Sequence, residues 1–470
     1  MTRYDIDGLL KRLGGIRTET NPALVKQKSR DFYWYSPILK RQLDAVVGDI
    51  VVSPRSTDEV VRTLAAAHAL GIPVTPRGAG TGNYGQAMPL SGGVVLNLAD
   101  MDAVLATEPG RVVCEPGAIL AAVDRETRSA VGGELRMHPS TYNTASIGGF
   151  LAGGSGGVGS INWGGLRDLG NVLGVSIATM EASPRVLDLS GDDLAKVMHA
   201  YGTNGVITRV DMPLAQAADW VDVIVGFDSF GDAARFGISL GEADGILTKL
   251  VTPIAAPVPQ RYFLRHKRFF ADGQSIVLVM VARTALPALK TFLRRFGGGS
   301  VVFDASALPE AERTGLPPNY ELSWNHTTLR ALRVDPAITY LQVLFPFPDH
   351  LDTIAKVHAA FAGDEVMGHL EVSRYDGKIT CFGLTLVRYT TEARLNEIIR
   401  IHEDLGAPIF NPHRYTLEEG GMKQTDAIQL AFKREADPAG LLNPGKMIAW
   451  DKPDFDYGAG TYLFPGLSAA

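Results

Sequence analysis

Cysteine is scarce: Cys114 and Cys381 are the only two in 470 residues. Both sit in apolar, strand-like patterns, which predicts two buried free thiols rather than a disulfide or a thiolate metal pair. No apolar run approaches the roughly 20 residues that a membrane-spanning helix requires. The opening residues, Met1-Thr2-Arg3-Tyr4-Asp5-Ile6-Asp7, carry acids where a secretory signal needs an apolar stretch. A cytoplasmic location is the expectation. No block of like charge occurs and the net charge is -6, which argues against a nucleic-acid surface. Low-complexity tracts are absent too. What remains is an ordinary globular composition, 46% apolar and 20% charged, in a chain long enough for two or three domains.

Glycine, in contrast, is abundant at 51 residues, and it gathers in two stretches. The first is Pro76-Arg77-Gly78-Ala79-Gly80-Thr81-Gly82-Asn83-Tyr84-Gly85, after the apolar segment Ile72-Pro73-Val74-Thr75, predicted as a strand. Glycine permits positive φ and lets successive N–H groups converge on an anion, so this loop can enclose a diphosphate. No Lys-Ser or Lys-Thr follows it, which excludes a Walker A loop. The second stretch runs from Pro139 through Ser146-Ile147-Gly148-Gly149 and Gly153-Gly154-Ser155-Gly156-Gly157 to Gly165. It is too rich in glycine for a helix interior, while Ile147, Phe150, Leu151 and Trp163 make it too apolar for a disordered linker. Backbone packed closely against a large flat ligand fits both properties.

Around these stretches the pattern alternates. Ile50-Val51-Val52 reads as a strand, Ser56 or Thr57 caps a helix to Ala69 with Gly71 as its stop, and Ile72 to Thr75 completes a β-α-β unit. Strands are expected at 94–98 and 111–115 and a helix over 118–130. Past Ala215, strand-helix-strand sets recur, which predicts an α+β lobe with an antiparallel sheet and helices on one face. The Asp376-Gly377 pair predicts a two-residue hairpin turn. Pairing outward from it buries Leu370, Val372, Ile379 and Cys381, while His369, Glu371, Ser373, Thr380 and Phe382 share the opposite face. That polar face either meets solvent or lines a site, and geometry alone favours solvent. The chain then passes through Asn411-Pro412-His413-Arg414-Tyr415-Thr416-Leu417-Glu418-Glu419-Gly420-Gly421 into a helix around Gln424 to Ala436.

Five segments in order carry a resemblance: Pro54 to Val60, Arg77 to Gly82, Ser146-Ile147-Gly148-Gly149, Gly202 to Thr208, and Phe432-Lys433 through Asp437-Pro438 to Asn443-Pro444-Gly445-Lys446. With them the chain resembles the FAD-linked oxidases of the vanillyl-alcohol oxidase / p-cresol methylhydroxylase superfamily, in the branch of glycolate oxidase D-subunits and D-lactate dehydrogenases. The resemblance implies an α+β, two-lobed protein. Its FAD-binding lobe would comprise residues 1–214 completed by 405–470, and an inserted cap with an antiparallel sheet would span 215–404. By the same resemblance Arg77, Gly78, Ala79, Gly80, Thr81 and Gly82 hold the diphosphate, and Ser140, Ser146, Gly148, Gly149 and Gly153 follow the ribityl chain and ring. Gly205 and Ile207 meet the adenine end, and Asn443 belongs to the same cofactor set. Members that attach FAD covalently through this loop carry a histidine where Thr81 stands, so the FAD is expected to be non-covalent. The branch's metal set includes a Gly-Glu-His-Gly segment. Here the corresponding region reads Leu417-Glu418-Glu419-Gly420-Gly421, so no metal is expected.

A flavin accepts a hydride at N5, and the protein must hold the substrate and accept a proton. His413 and His369 are the candidate acceptors. Arg414 and Tyr415 are candidates for an anionic or phenolic substrate, since a guanidinium pairs a carboxylate through two parallel bonds. Arg388, His326 and Glu371 form a second substrate set, and Glu419, with Glu418, is placed to orient a base or meet a cationic amine. The expected activity is FAD-dependent oxidation of a small polar substrate, a 2-hydroxy acid or related alcohol, by hydride transfer to N5. Oxidation of a phenolic alcohol or amine, and a catalytically silent flavin-binding subunit, remain as alternatives. The electron acceptor, whether oxygen, quinone or an electron-transfer protein, and the oligomeric state, with a homo-oligomer open, are not encoded legibly.

Overall fold

The computed structural model describes residues 4–422, 425–458 and 460–467. The β-α-β unit forms as its signals require. Strand Ile50–Ser53 leads into helix Thr57–Ala69, where the Ser56 hydroxyl accepts the Glu59 N–H at 3.3 Å, and strand Val74–Arg77 follows. Both strands pair in parallel with Val94–Asn97, and Arg17–Glu19 adds antiparallel on the far side. The strand after the helix begins two residues later than its apolar letters suggest. It lies at the sheet edge, where Pro76 needs no ladder partner for its missing N–H. Its last residue, Arg77, therefore delivers the chain into the glycine loop.

A second, antiparallel sheet orders Val104–Glu108, Arg111–Cys114, Val206–Gln216, Gly174–Ala178 and Val186–Ser190. Helix Leu120–Val131 and helix Ile147–Gly153 contribute to its core. The second of these corrects the reading of the glycine stretch as non-helical. Ile147, Phe150 and Leu151 bury one side of that turn and outweigh the propensity of its glycines. Phe432 and Ala436, from helix Ala427–Ala436, complete the same core. Residue Gln424, placed in this helix from sequence, lies outside the described residues. Leu442 then bridges to Val74 in the first sheet.

The middle of the chain forms two larger sheets. One orders Thr248–Ile254, Ser275–Ala282, Trp220–Phe227 and Gly299–Asp304, with helices Phe230–Gly241 and Leu286–Phe296 packed in its core. The other orders Leu370–Tyr375, Lys378–Gly383, Gln342–Phe345 and Ile409–Phe410. The hairpin register matches the Asp376-Gly377 expectation: Tyr375 faces Lys378, and both turn residues have positive φ, 48° and 74°. Its polar face is a correction. His369, Glu371, Ser373 and Thr380 are all buried, because strand Thr248–Ile254 lies across them and Thr252 bonds Glu371. Both cysteines are buried free thiols. Among the described residues no helix is long and apolar enough to cross a membrane.

Candidate active site

A cavity of about 580 Å³ opens where the glycine stretches meet the middle sheets. Arg77, Gly78, Ala79, Gly80, Thr81, Gly82, Ser140, Ser146, Gly148, Gly149, Gly153, Gly205 and Ile207 all line it. Side chains are excluded here by contact. A Cβ on Gly78 would sit 2.1 Å from Ser146 Oγ, and one on Gly148 would sit 2.6 Å from Pro116 Cβ. The two glycine stretches thus touch, and the Ala79 N–H donates to Ser146 Oγ at 3.2 Å. Asn443 is absent from the wall but holds it together. With φ at 41°, it donates from Nδ2 to Gln86 O at 2.8 Å and Tyr201 O at 2.7 Å.

The opposite wall comes from helix Asn325–Leu332 and its flanks. His326, Leu329, Arg330 and Arg333 line the cavity at spacings of three, four and seven, one face of a helix. Arg330 donates to the Glu321 carboxylate at 2.9 Å, while Arg333 is exposed. Burial, with the nearby Arg330 and Arg333 charges, lowers the His326 pKa to about 4, so its imidazole is neutral at neutral pH. Four buried polar atoms on lining residues have no protein partner: Arg77 Nε, Tyr201 Oη, Trp324 Nε1 and His326 Nδ1. Native proteins rarely leave such atoms unpaired. A wall of bare backbone with several unpaired donors fits a long, flat, polar ligand, and FAD meets that description.

The other residues singled out from sequence are not on this wall. His413 is 1% exposed, with Nδ1 at 2.7 Å from Ser36 Oγ and Nε2 at 3.0 Å from Tyr340 O. Tyr415 is buried and its hydroxyl accepts the Phe464 N–H at 2.8 Å. Arg414, beside them, is outside the lining. Glu419 accepts the Tyr462 N–H at 3.0 Å, and Glu418 accepts those of Ile448 and Ala449, each at 3.0 Å. Arg388 forms ion pairs with Asp335 and Asp364. His369 and Glu371 pair with each other at 2.8 Å behind the wall. Each of these side chains except Arg414 has its polar atoms committed within the protein. Of the second substrate set His326 alone lines the cavity, while Arg330 and Arg333 on its helical face and the aromatic run Phe32-Tyr33-Trp34-Tyr35, of which Phe32, Trp34 and Tyr35 line the cavity, are additions that the sequence motifs do not single out.

Among the described residues no group of three His, Cys, Asp or Glu side chains is arranged to hold a metal. Nor does His369 offer a lone pair, since its nitrogens face Leu384 O and Glu371.

Fold and cavity together fit a two-lobed flavoprotein, with a glycine-lined cavity beside the middle sheets. Residues 48–187 match the family model described as FAD binding domain. The chain carries an FAD-binding domain, and its cofactor is FAD. It is similar to glycolate oxidase subunit GlcD of Bacillus subtilis, 24% identical over 86% of this chain and 89% of that one. A D-lactate dehydrogenase of Archaeoglobus fulgidus is 30% identical over 39% of this chain and 43% of its own. In fold it is similar to an alkyldihydroxyacetonephosphate synthase, with TM-score 0.68 at 15% identity, covering 93% of this chain and 85% of the other.

Proposed function

We propose that this FAD-dependent oxidoreductase oxidises a small alcohol bearing an acid group, most simply a 2-hydroxy acid, and that the cap helix supplies the chemistry. One observation carries the reading: on a single helical face a neutral His326, whose buried Nδ1 has no protein partner, lines the cavity beside Arg330 and Arg333. FAD, when bound, supplies a hydride acceptor at N5. His326 takes the hydroxyl proton at Nδ1. Arg333, with no carboxylate partner among the described residues, receives the substrate carboxylate, and Arg330 adds positive charge while held by Glu321. Trp324, Trp34 and Tyr35 exclude water from the same space. The loop from Gly78 to Gly82 would hold the diphosphate through its backbone amides. The names of the relatives above, a glycolate oxidase subunit and a D-lactate dehydrogenase, support the substrate class.

The cations disfavour an amine substrate, because a protonated amine would face Arg330 and Arg333, while the lining acids Glu321 and Asp31 already accept from Arg330 and from the Tyr33 and Ala87 N–H groups. Anaerobic titration of the yellow holoprotein with hydroxy acids, aryl alcohols and amines tests the proposal. Bleaching of the flavin by a hydroxy acid is the expected result. Bleaching by amines or aryl alcohols alone overturns the substrate class, and no bleaching by any compound favours a silent subunit. Electrons then pass to an acceptor outside this chain, an oxygen, quinone or electron-transfer protein.

A further inference from the structure

The geometry points to His369 and Glu371 as a buried, proton-sharing pair that positions the cavity-facing helix. Trp324 precedes that helix with φ 48° and ψ -142°, a conformation that a bulky L-residue adopts only when its surroundings impose it. What imposes it is the Glu371 carboxylate. Its Oε1 accepts the Trp324 N–H at 2.5 Å, and its Oε2 accepts the Thr252 hydroxyl at 2.6 Å. Glu371 is 1% exposed and His369 is 0% exposed. A carboxylate this deeply buried is costly unless every lone pair finds a donor.

The histidine supplies the remaining donor, and the hydrogen-bond directions fix the proton count. His369 Nδ1 faces the Leu384 carbonyl at 3.1 Å, so it carries a proton. Nε2 faces Glu371 Oε1 at 2.8 Å and Thr327 Oγ1 at 3.3 Å, and that hydroxyl donates to Leu322 O at 2.6 Å. A second proton therefore lies between Nε2 and Oε1. The pair is neutral as a unit whichever partner holds it. Through Trp324 at the helix start and Thr327 one turn in, it grips the end of the helix that carries His326. It touches no cavity surface itself, so its role is positioning and its effect passes through Trp324 and His326.

Glu371→Ala removes the grip, and Glu371→Gln keeps the shape but cannot serve Trp324 N–H and His369 Nε2–H without leaving an uncompensated imidazolium. Hydrogen exchange on the full-length holoprotein reads this directly. For Glu371→Ala, amides in 319–333 are expected to exchange at least ~10-fold faster, with strand Ser275–Ala282 unchanged. Glu371→Gln should lie between wild type and Ala, and flavin reduction in it should slow about 10-fold at saturating substrate while half-saturation changes less than about 3-fold. Exchange unchanged in 319–333, or accelerated evenly across the cap as a merely structural defect would do, overturns the inference. Should Glu371→Ala fail to fold, Glu371→Gln and Thr252→Val give the same readout. Only the kinetic arm rests on the proposed oxidation. If no substrate bleaches the flavin but exchange accelerates locally, the oxidation reading fails and the positioning role stands.

Discussion

At the scale of single residues, burial decides which histidines can do chemistry. His413 has both ring nitrogens bonded and, through burial, a pKa lowered to about 3. His326 lines the cavity, and its buried Nδ1 has no protein partner. His326→Ala should slow flavin reduction by about 10²–10⁴-fold in rapid-mixing experiments, the usual contribution of a positioned base. If Nδ1 accepts the proton, the acid limb of kcat/KM should fall near pH 4, the value to which burial brings this imidazole, rather than near 6.5. His413→Ala is expected to leave the reduction rate within a few-fold of wild type. It should remove about 1–3 kcal/mol of stability, the consequence of leaving buried partners unsatisfied. The pH dependence has a definite sign. His413 is held neutral in the fold, with its pKa depressed from 6.5 to about 3, so its stabilising effect is complete above pH 6.5 and is lost as pH falls toward 3. Urea midpoints measured at pH 7 and pH 5 should converge between wild type and His413→Gln at the lower pH.

At the scale of elements, the glycine stretches were legible because steric exclusion leaves a mark in the letters. Gly148 has no room for a methyl group against Pro116, and one at Gly78 would have to displace the Ser146 hydroxyl, so glycine at these positions announces close contact. Gly78→Ala should push Ser146 aside and lower the flavin content per protein, read from visible absorbance. Gly71→Ala is the control. Its φ of 61° makes any side chain strained, yet no atom lies within 4 Å of a built Cβ. That variant should lose about 1 kcal/mol or more of stability while retaining flavin. The strand register of the Asp376-Gly377 hairpin was legible for a similar reason, since a two-residue turn leaves one pairing. Which of its faces met solvent was not. A second sheet crossing that face depends on strand Thr248–Ile254, more than 100 residues away in the chain, and no local pattern encodes it. The same limit hid the cap helix. His326, Arg330 and Arg333 were visible as letters, but that their helix lies against the cavity depends on long-range contacts such as the Trp324 N–H to Glu371 bond, which no local pattern encodes.

At the scale of the molecule, the C-terminal stretch is tied to the residues around the glycine loop. Lys433, fully buried, donates to Asp437 at 2.5 Å, Thr203 O at 2.9 Å and Leu442 O at 3.0 Å. Lys446 reaches Gly85 O at 2.6 Å. The middle sheets share their core with the N-terminal part of the chain, since Ile38 and Ile161 pack into the same cluster. We therefore expect the lobes to unfold together, with a single transition whose midpoint rises when FAD is added. Thr81 provides no imidazole for a covalent link, so acid precipitation should leave all of the yellow colour in the supernatant. Colour retained in the pellet would contradict a dissociable cofactor.

The joining of Leu442 to Val74 and of Asn443 to Gln86 and Tyr201 also sets a timetable for synthesis. While the ribosome is still translating the cap, the cradle already outside the exit tunnel lacks its closing clasp. Cofactor loading is expected to wait until helix Ala427–Ala436 and the turn after it emerge. A stalled nascent chain ending before Ala427 should bind no FAD, whereas one released beyond Lys446 should acquire it.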